Sequence, residues 1–297
     1  MTDLVIRNVR VLDGTGTPAF PADVTLDGGR ISAVSTDGSS ASADREIDGA
    51  GACLAPGFID THSHDDGAFF RHPGMEFKLA QGVTTVVTGN CGFSAIPADP
   101  GQDRVAASGG ILAGLDGTFT DLSGYYAAAL ERKLAINNIM LVGHNTVRTL
   151  VLGMAERAPT QRELKAMRNH VELAFEQGAC GFSTGLIYRP GRWSNTEEII
   201  ELASAAKPFD ALYTTHMRDE GEGLLEAVDE TLTIGRQVGV QAHISHHKSI
   251  ACSEYRKTLQ SYHLWHEIDH CQIPGCRIFR IASFHVASTF SLGPEEL

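Results

Sequence analysis

Short apolar runs alternate with helical stretches from residue 57 to residue 245, and no other feature of the sequence restricts the fold as strongly. Six such runs occur, at residues 57–62, 84–89, 138–144, 180–185, 211–216 and 240–245. Strands that alternate with helices form βαβ units, in which the strands run parallel in one sheet. Because the sequence indicates no reversal of strand order, we expect a (β/α) barrel rather than a doubly wound sheet.

The stretches between the runs carry signals for the start and the end of helices. Residues 160–163 read Thr-Gln-Arg-Glu, a capping box that predicts a helix to about Gly178. Residues 194–197 read Ser-Asn-Thr-Glu and predict a second capping box. Residues 224–239 have apolar side chains at helical spacing and end in glycine, which predicts a third helix.

The N-terminal part of the chain follows a different pattern. Residues 23–35 alternate between apolar and polar side chains, and Gly28-Gly29 interrupts them. This arrangement is typical of a β-hairpin around a two-glycine turn. We therefore predict a small β-rich domain over residues 1–55, followed by the barrel over residues 56–250.

The last part of the chain fits the barrel poorly. A (β/α)8 barrel takes about 250 residues, and after the sixth run only residues 277–286 resemble another strand. The sequence thus predicts an α/β fold, an incomplete (β/α)8-type barrel with a small N-terminal β-rich domain. Residues 251–297 are interpreted as a divergent, truncated or frame-shifted tail. Histidines and cysteines are dense there, but their spacing matches known zinc motifs poorly.

The charge and the apolar pattern exclude several classes of function. The net charge is −12 and no Lys/Arg cluster occurs, so we expect no nucleic-acid partner. No apolar stretch approaches the ~18 residues of a membrane span, and the N-terminus does not resemble a signal peptide. Six cysteines do not make a disulfide scaffold in 297 residues, which favours the reducing cytoplasm. A small-molecule substrate is expected, and the oligomeric state is not indicated.

The predicted strand ends carry the residues that suggest chemistry, as expected of a barrel whose active site lies at the C-terminal ends of its strands. His62 and His64 follow the first strand at a spacing that places both side chains on one face. Cys91 follows the second strand, His216 ends the fifth and His246 follows the sixth. Imidazole nitrogens and thiolate sulfur are zinc ligands, so this pattern predicts a zinc site.

Other histidines and cysteines receive different interpretations. His243 is the alternative to His246 on the sixth strand. His144 is interpreted as a hydrogen-bonded histidine at the barrel rim. Cys53 and Cys180 lie before or at the start of strands, so we expect both to pack in the core.

Five segments of this sequence resemble the D-aminoacylases, which are N-acyl-D-amino-acid deacylases of the amidohydrolase superfamily. The resemblance runs from about residue 3 to about residue 250. Its segments are GFIDTHSHDD (57–66), QGVTTVVTGNCGFS (81–94), GFSTGLIYRPG (181–191), YTTHMRDEGEG (213–223) and HISHHK (243–248).

The resemblance implies a particular set of metal ligands. Matched by motif, the zinc ligands of the family fall on His62, His64, Cys91, His216 and His246. In this branch one tight Zn2+ is held by the cysteine and the two later histidines. The HxH pair forms a second, weaker position.

The resemblance also implies the reaction and the way in which substrate binds. Tyr188 and Lys248 match the residues that bind the substrate carboxylate, a role that suits a phenol and an ammonium group. The reaction would be metal-assisted hydrolysis of an amide. The family's catalytic aspartate, at the end of the last barrel strand, has no counterpart here, because Asp269 is the only aspartate after residue 250 and its context does not match.

Two alternatives stay open at this point. One is a cyclic-amide hydrolase of the hydantoinase or dihydroorotase type, which usually bridges two metals with a carboxylated lysine on the fourth strand. Residues 180–188 contain no lysine, and Cys91 would serve as the bridge instead. The other is a non-catalytic metal-binding fragment, which the missing aspartate favours.

Overall fold

The computed structural model describes residues 2–40, 42–101, 108, 112, 115 and 118–250. The chain divides into two compact units, one ending at Phe58 and the other beginning at Ile59. The predictions for residues 251–297 lie outside the described residues. Among the residues described, no helix has the length and apolar character needed to cross a bilayer.

The first unit is a small sheet around a hairpin. Its strands pair in the order β3-β2-β1-β4, and β5 also pairs with β1. The turn between β2 and β3 contains Gly28 and Gly29, both at positive φ, which confirms the predicted hairpin. The strands are β1 Thr2–Val11, β2 Phe20–Asp27, β3 Arg30–Ser35, β4 Ala43–Asp48 and β5 Cys53–Leu54.

Alternate residues of β1 and β2 form the core of this unit. Val9, Val11, Ala22 and Val24 are buried together, because side chains two apart on a strand share a face. Cys53 lies at the start of β5 and is exposed, so the prediction that it packs in the core is wrong. The neighbouring residue, Leu54, lies on the other face of the strand and packs against this core.

The second unit contains the predicted parallel sheet. Its six strands lie in chain order, β6 to β11, as sequential neighbours. The pairs from β7 to β11 are parallel. Over the residues that the structure describes, this arrangement confirms the prediction of an incomplete (β/α) barrel, and it brings the carboxyl ends of these strands to one edge. The strands are β6 Phe58–Asp60, β7 Val83–Thr88, β8 Asn137–Gly143, β9 Gly181–Gly185, β10 Leu212–His216 and β11 Ala242–Ile244.

Helices lie between the strands of the second unit. The described α-helices are α1 Ala68–Arg71, α2 Glu76–Leu79, α3 Leu122–Glu131, α4 His144–Leu152, α5 Gln161–Glu176, α6 Thr196–Ala203 and α7 Leu224–Val238. Single 3-10 turns occupy Asp65–Gly67, Asn90–Gly92 and Gly191–Trp193, and a longer one occupies Ser204–Phe209.

The helix caps agree with the sequence in one case and shift by one residue in another. Thr160 and Glu163 form the predicted capping box at the start of α5. At α6 the cap is Asn195 rather than Ser194, because the Asn195 side chain accepts a hydrogen bond from the Glu198 N–H. The Ser194 hydroxyl instead donates to the Gly191 carbonyl at 2.6 Å.

Successive side chains of a strand point alternately to the hydrophobic core under the helices and to the interior of the barrel. Phe182 on β9 and Tyr213 on β10 belong to the hydrophobic core that also includes Met167 of α5 and Ile199 of α6. His216 lies three residues after Tyr213 and therefore points to the opposite face of β10. The strand thus buries its aromatic residue against the helices and directs its last histidine toward the interior of the barrel.

Candidate metal centre

Three histidines surround the thiol of Cys91 at the carboxyl end of the sheet. The Cys91 Sγ lies 3.4 Å from His62 Nε2, 3.4 Å from His246 Nε2 and 3.6 Å from His216 Nδ1. These side chains follow β6, β7, β10 and β11, or end them, so the parallel sheet explains why they meet. For bonds of 2.0–2.3 Å, two ligands of a tetrahedral zinc lie roughly 3.5 Å apart. The observed separations therefore fit a metal bound among these atoms.

The donor atoms form two groups that share one residue. Cys91 groups with His216 and His246, and it also groups with His62 and His64. Within each group the possible ligand atoms all lie within 4.8 Å of one another. A thiolate in the shared position is able to bridge two cations. The structure therefore brings together all five residues predicted as ligands.

The backbone of Cys91 has an unusual conformation. Cys91 has a φ of +54°, between Gly89 at +77° and Gly92 at +79°. A residue with a Cβ is uncommon in the left-handed region, and strain of this kind persists only where surrounding contacts hold it. Asp66 is fully buried and provides such contacts, accepting from the Gly89 N–H at 3.3 Å and the Ala95 N–H at 3.0 Å.

Strand β9 supports the same turn from the other side. The Ser183 hydroxyl accepts from the Gly92 N–H at 3.1 Å and donates to the Gly89 carbonyl. A Cβ on Gly185 would lie 2.0 Å from the Cys91 carbonyl oxygen. The turn that carries Cys91 is therefore packed directly against the backbone of β9.

Burial favours the neutral forms of Cys91, His62 and His246 in the protein alone. It raises the pKa of the Cys91 thiol to about 12, with the charge of Glu220 adding to the effect. Burial, together with the neighbouring histidines, lowers the pKa of His62 to about 3 and that of His246 to about 4. Neutral imidazoles keep the lone pairs that a metal needs, and a coordinated cation deprotonates a thiol.

The two ring nitrogens of His216 face different partners. Nδ1 lies toward Cys91 and is 3.3 Å from the Tyr188 hydroxyl. Nε2 lies 3.2 Å from Glu220 Oε1, and Glu220 Oε2 lies 3.0 Å from the ammonium of Lys248. Tyr188 and Lys248, the predicted substrate-binding residues, are thus both next to the histidine cluster.

Sequence reasoning missed two carboxylates at this site. Glu220 follows His216 by four residues, and its side chain is only 3% exposed. Burial would raise the pKa of its carboxyl, but His216 and Lys248 together lower it below the usual value. Asp66 is the second residue after the HxH motif. Both acids lie inside segments that resemble the D-aminoacylases, and this position was the only sign in the sequence that they belong to the site.

Two other histidines lie outside the donor groups. His144 is fully buried, with its Nε2 2.9 Å from Glu198 Oε1, so the prediction of a hydrogen-bonded histidine is confirmed. His243 is in neither donor group of the described residues. The prediction that the family's last-strand aspartate has no counterpart after residue 250 concerns residues outside those the structure describes.

Known proteins resemble this chain along most of its length. An N-acyl-D-glutamate deacylase of Alcaligenes xylosoxydans xylosoxydans is 42% identical over 257 residues, 86% of this chain and 52% of the relative. A D-aminoacylase of the same organism is 41% identical over 250 residues, 83% of this chain and 50% of the relative. The chain therefore spans about half the length of the curated relatives it matches.

Solved structures give the same relationship. The N-acyl-D-glutamate deacylase from Bordetella bronchiseptica, complexed with zinc and a phosphonate inhibitor, is 39% identical with a TM-score of 0.81. The match covers 90% of this chain and 56% of that one. A D-hydantoinase, at 17% identity and a TM-score of 0.52 over 89% of this chain and 55% of its own, shares the fold alone. The model of the amidohydrolase family matches residues 45–291, and the chain belongs to this family.

Proposed function

We propose that this chain is a zinc-dependent hydrolase that cleaves the amide bond of N-acyl-D-amino acids, releasing a carboxylate and a D-amino acid. The observation that supports this most strongly is the convergence of Cys91 with three histidine nitrogens at 3.4–3.6 Å. The N-acyl-D-amino-acid deacylases among its relatives support the substrate class.

Cys91, His216 and His246 would hold one tight Zn2+, and His62 and His64 would form a weaker second position with Cys91. Sulfur and imidazole donors of this kind suit zinc far better than magnesium or calcium, which prefer oxygen. The chemistry that zinc supplies at such a site is polarisation of the acyl carbonyl and a lowered pKa of water.

Lys248 and Tyr188 would bind the carboxylate of the substrate. The Lys248 side chain is 43% exposed, so its ammonium is accessible to an anion from solvent. Burial, with Cys91 and Glu220 nearby, raises the pKa of the Tyr188 hydroxyl to about 12, so it remains a neutral hydrogen-bond donor at pH 7. Two donors on one carboxylate would fix the orientation of the neighbouring amide.

Cys91 must stay reduced to bind a metal. A disulfide or an oxidised sulfur at this position would remove the shared ligand. We therefore expect the protein to work in a reducing compartment such as the cytoplasm.

The test is hydrolysis by the purified, zinc-loaded chain. The chain is supplied in parallel with acidic and neutral N-acetyl-D-amino acids, their L-enantiomers and a cyclic amide. Release of free amine is measured for the linear amides, and ring opening is measured for the cyclic amide. We expect hydrolysis of the D-substrates alone, lost on chelation and restored by Zn2+. Ring opening without cleavage of the linear amides would support the cyclic-amide alternative, and bound zinc with no turnover would support a non-catalytic protein.

Lys248→Met tests the substrate-binding part of the proposal. We expect a higher KM for N-acyl-D-amino acids with little loss of zinc, since a protonated ammonium has no lone pair to offer a metal. Lys133→Met, on the surface after α3, is the matched control. An unchanged KM in Lys248→Met would contradict the assignment.

A further inference from the structure

Glu220 is a buried carboxylate whose two oxygens face two different functional side chains. Its side chain is 3% exposed, and it lies in the segment between β10 and α7. Oε1 is 3.2 Å from His216 Nε2, and Oε2 is 3.0 Å from Lys248 Nζ. Burying a carboxylate is costly unless charged or hydrogen-bonding groups compensate it. The Lys248 ammonium compensates it here, whereas the 3.2 Å contact between Glu220 Oε1 and His216 Nε2 lacks the alignment of a hydrogen bond.

The geometry separates Glu220 from the metal ligands themselves. Among the described residues it belongs to neither donor group. Its contact with His216 is at the ring nitrogen that faces away from Cys91, since Nδ1 is the atom 3.6 Å from the Cys91 Sγ. A carboxylate beside the second nitrogen of a ligating histidine fixes the tautomer and the ring orientation.

The backbone strengthens the connection between the two segments involved. The Ile250 N–H donates to the Glu220 carbonyl at 2.9 Å, and the Ser245 N–H donates to the Thr215 carbonyl at 2.9 Å. The residues after β10 and the residues after β11 are therefore held side by side. Glu220 spans the gap between them with its side chain.

We propose that Glu220 is a positioning residue that holds His216 with Nδ1 toward the metal and, through the same carboxylate, holds Lys248 in place for the substrate carboxylate. This inference rests on the proposed function, which assigns His216 and Lys248 their roles. One buried acid thereby sets the distance between the metal and the anion-binding group. That distance determines which acyl amides fit.

The test compares Glu220→Gln with Glu230→Gln as a matched control. Glu230 is also a poorly exposed acid in an ion pair, 2.8 Å from Arg218, and it accepts a hydrogen bond from Thr196 rather than contacting His216 or Lys248. We expect Glu220→Gln to weaken Zn2+ affinity, measured by chelator competition, by about 10–100-fold. We expect the control to change it by less than about twofold.

Repeating Glu220→Gln in a Lys248→Met chain separates the effect of Glu220 on zinc binding from its effect on substrate binding. Glu220→Gln should also raise KM, since the Lys248 ammonium loses its anchor. In a Lys248→Met chain, the effect of Glu220→Gln on KM should disappear while the loss of zinc affinity remains, because only the KM effect acts through the lysine. Equal KM effects in both backgrounds would overturn the link to Lys248.

Folding is checked by circular dichroism, and Glu220→Asp provides a second variant if Glu220→Gln does not fold. The aspartate keeps the charge but is shorter by one methylene, so we expect zinc affinity below that of a Glu230→Asp control. If the wild type binds Zn2+ and Glu220→Asp binds it as tightly as Glu230→Asp does, this inference alone is overturned. A wild-type chain that binds no Zn2+ would overturn both the inference and the proposed function.

Discussion

At the scale of single residues, the candidate site depends on the left-handed conformation of Cys91. A φ of +54° turns the thiol toward the histidines that follow the other strands. Nothing in the side chain of a cysteine favours this conformation, so its surroundings must impose it. Asp66 does so by accepting hydrogen bonds from the N–H groups of Gly89 and Ala95, which flank the turn.

Asp66→Asn should therefore destabilise the protein and weaken its binding of zinc. An asparagine has one acceptor oxygen, so one buried N–H would face an NH2 group and lose its partner. Leaving a buried donor unsatisfied costs about 1–3 kcal/mol. Urea unfolding and chelator competition measure the two effects.

The control for this prediction is Asp99→Asn. Asp99 is exposed and accepts from the Gly101 N–H at 3.0 Å, so it has a similar hydrogen bond without burial. We expect this variant to change neither quantity appreciably. Equal effects of the two substitutions would show that Asp66 has no special role.

The candidate metal ligands could be predicted from the sequence, but the residues that hold them in place could not. His62 and His64 are visible as a pair at i and i+2, and Cys91 and His216 are visible at strand ends. Asp66 and Glu220 act through contacts that depend on the fold. Asp66, for example, binds N–H groups 23 and 29 residues away, for which a sequence gives no pattern.

At the scale of secondary structure, the alternation of short apolar runs with helical stretches located the strands of the barrel to within a few residues. The first and sixth runs, predicted over residues 57–62 and 240–245, are the least accurate, since β6 covers only Phe58–Asp60 and β11 covers only Ala242–Ile244. The cap of α6 was displaced because Ser194 and Asn195 are both good capping residues and the sequence does not rank them. The local sequence thus predicts that a strand or helix forms, and tertiary contacts determine the residues at which it begins and ends.

Helices α4 and α6 are joined by a buried charge cluster. Glu198 of α6 lies 2.7 Å from Arg148 Nη1 and 2.9 Å from His144 Nε2, and these side chains are at most 1% exposed. Burial alone would raise the pKa of Glu198, but the hydrogen bond with His144 and the charge of Arg148 lower it below the usual value. The cluster fixes the helix that begins at the end of β8.

Glu198→Gln should lower the free energy of unfolding by about 3 kcal/mol, since removing one partner leaves the buried charge of Arg148 uncompensated. Glu201→Gln is the matched control on the same helix. Glu201 pairs with Arg168 but its side chain is 49% exposed, so the loss should stay below about 1 kcal/mol. Guanidinium chloride titrations of both variants give the comparison, and equal losses would contradict the importance of burial.

The Glu198 carboxylate also makes the free energy of unfolding depend on pH, and the direction of that dependence follows from its pKa. Because the pKa of Glu198 is lowered in the folded protein, its stabilising contribution is fully present above the unfolded value of about 4.3. The contribution is lost as the pH falls through the lower folded value. Below pH 4.3, wild-type stability should therefore fall more steeply than that of Glu198→Gln, and parallel curves would contradict this.

At the scale of the whole molecule, the fold explains why ligands from distant parts of the sequence meet. A parallel sheet in chain order brings successive strand ends to one edge, so His62 and His246 have ring centroids 4.4 Å apart despite their separation in sequence. The fold class followed from the βα alternation alone. The resemblance implied the grouping of the donors around Cys91, and the structure adds the distances between their atoms.

Zinc should stabilise the whole protein if the centre forms as proposed. A ligand that binds only the folded state adds about 4 kcal/mol when its free concentration is 1,000 times Kd. The unfolding temperature should therefore rise with Zn2+ and fall again with a chelator. Mg2+ should have no such effect, since it prefers oxygen ligands; equal shifts with both ions would contradict a cysteine-histidine centre.

The most direct test of the proposed zinc centre is the zinc content of the wild-type protein beside that of Cys91→Ala. Cys91 is the one residue common to both donor groups of the described residues. Cys180→Ala, at a half-buried cysteine outside those groups, is the control. We expect one tightly bound zinc in the wild type and in Cys180→Ala, and its loss in a folded Cys91→Ala. An unchanged zinc content in Cys91→Ala would contradict the central assignment.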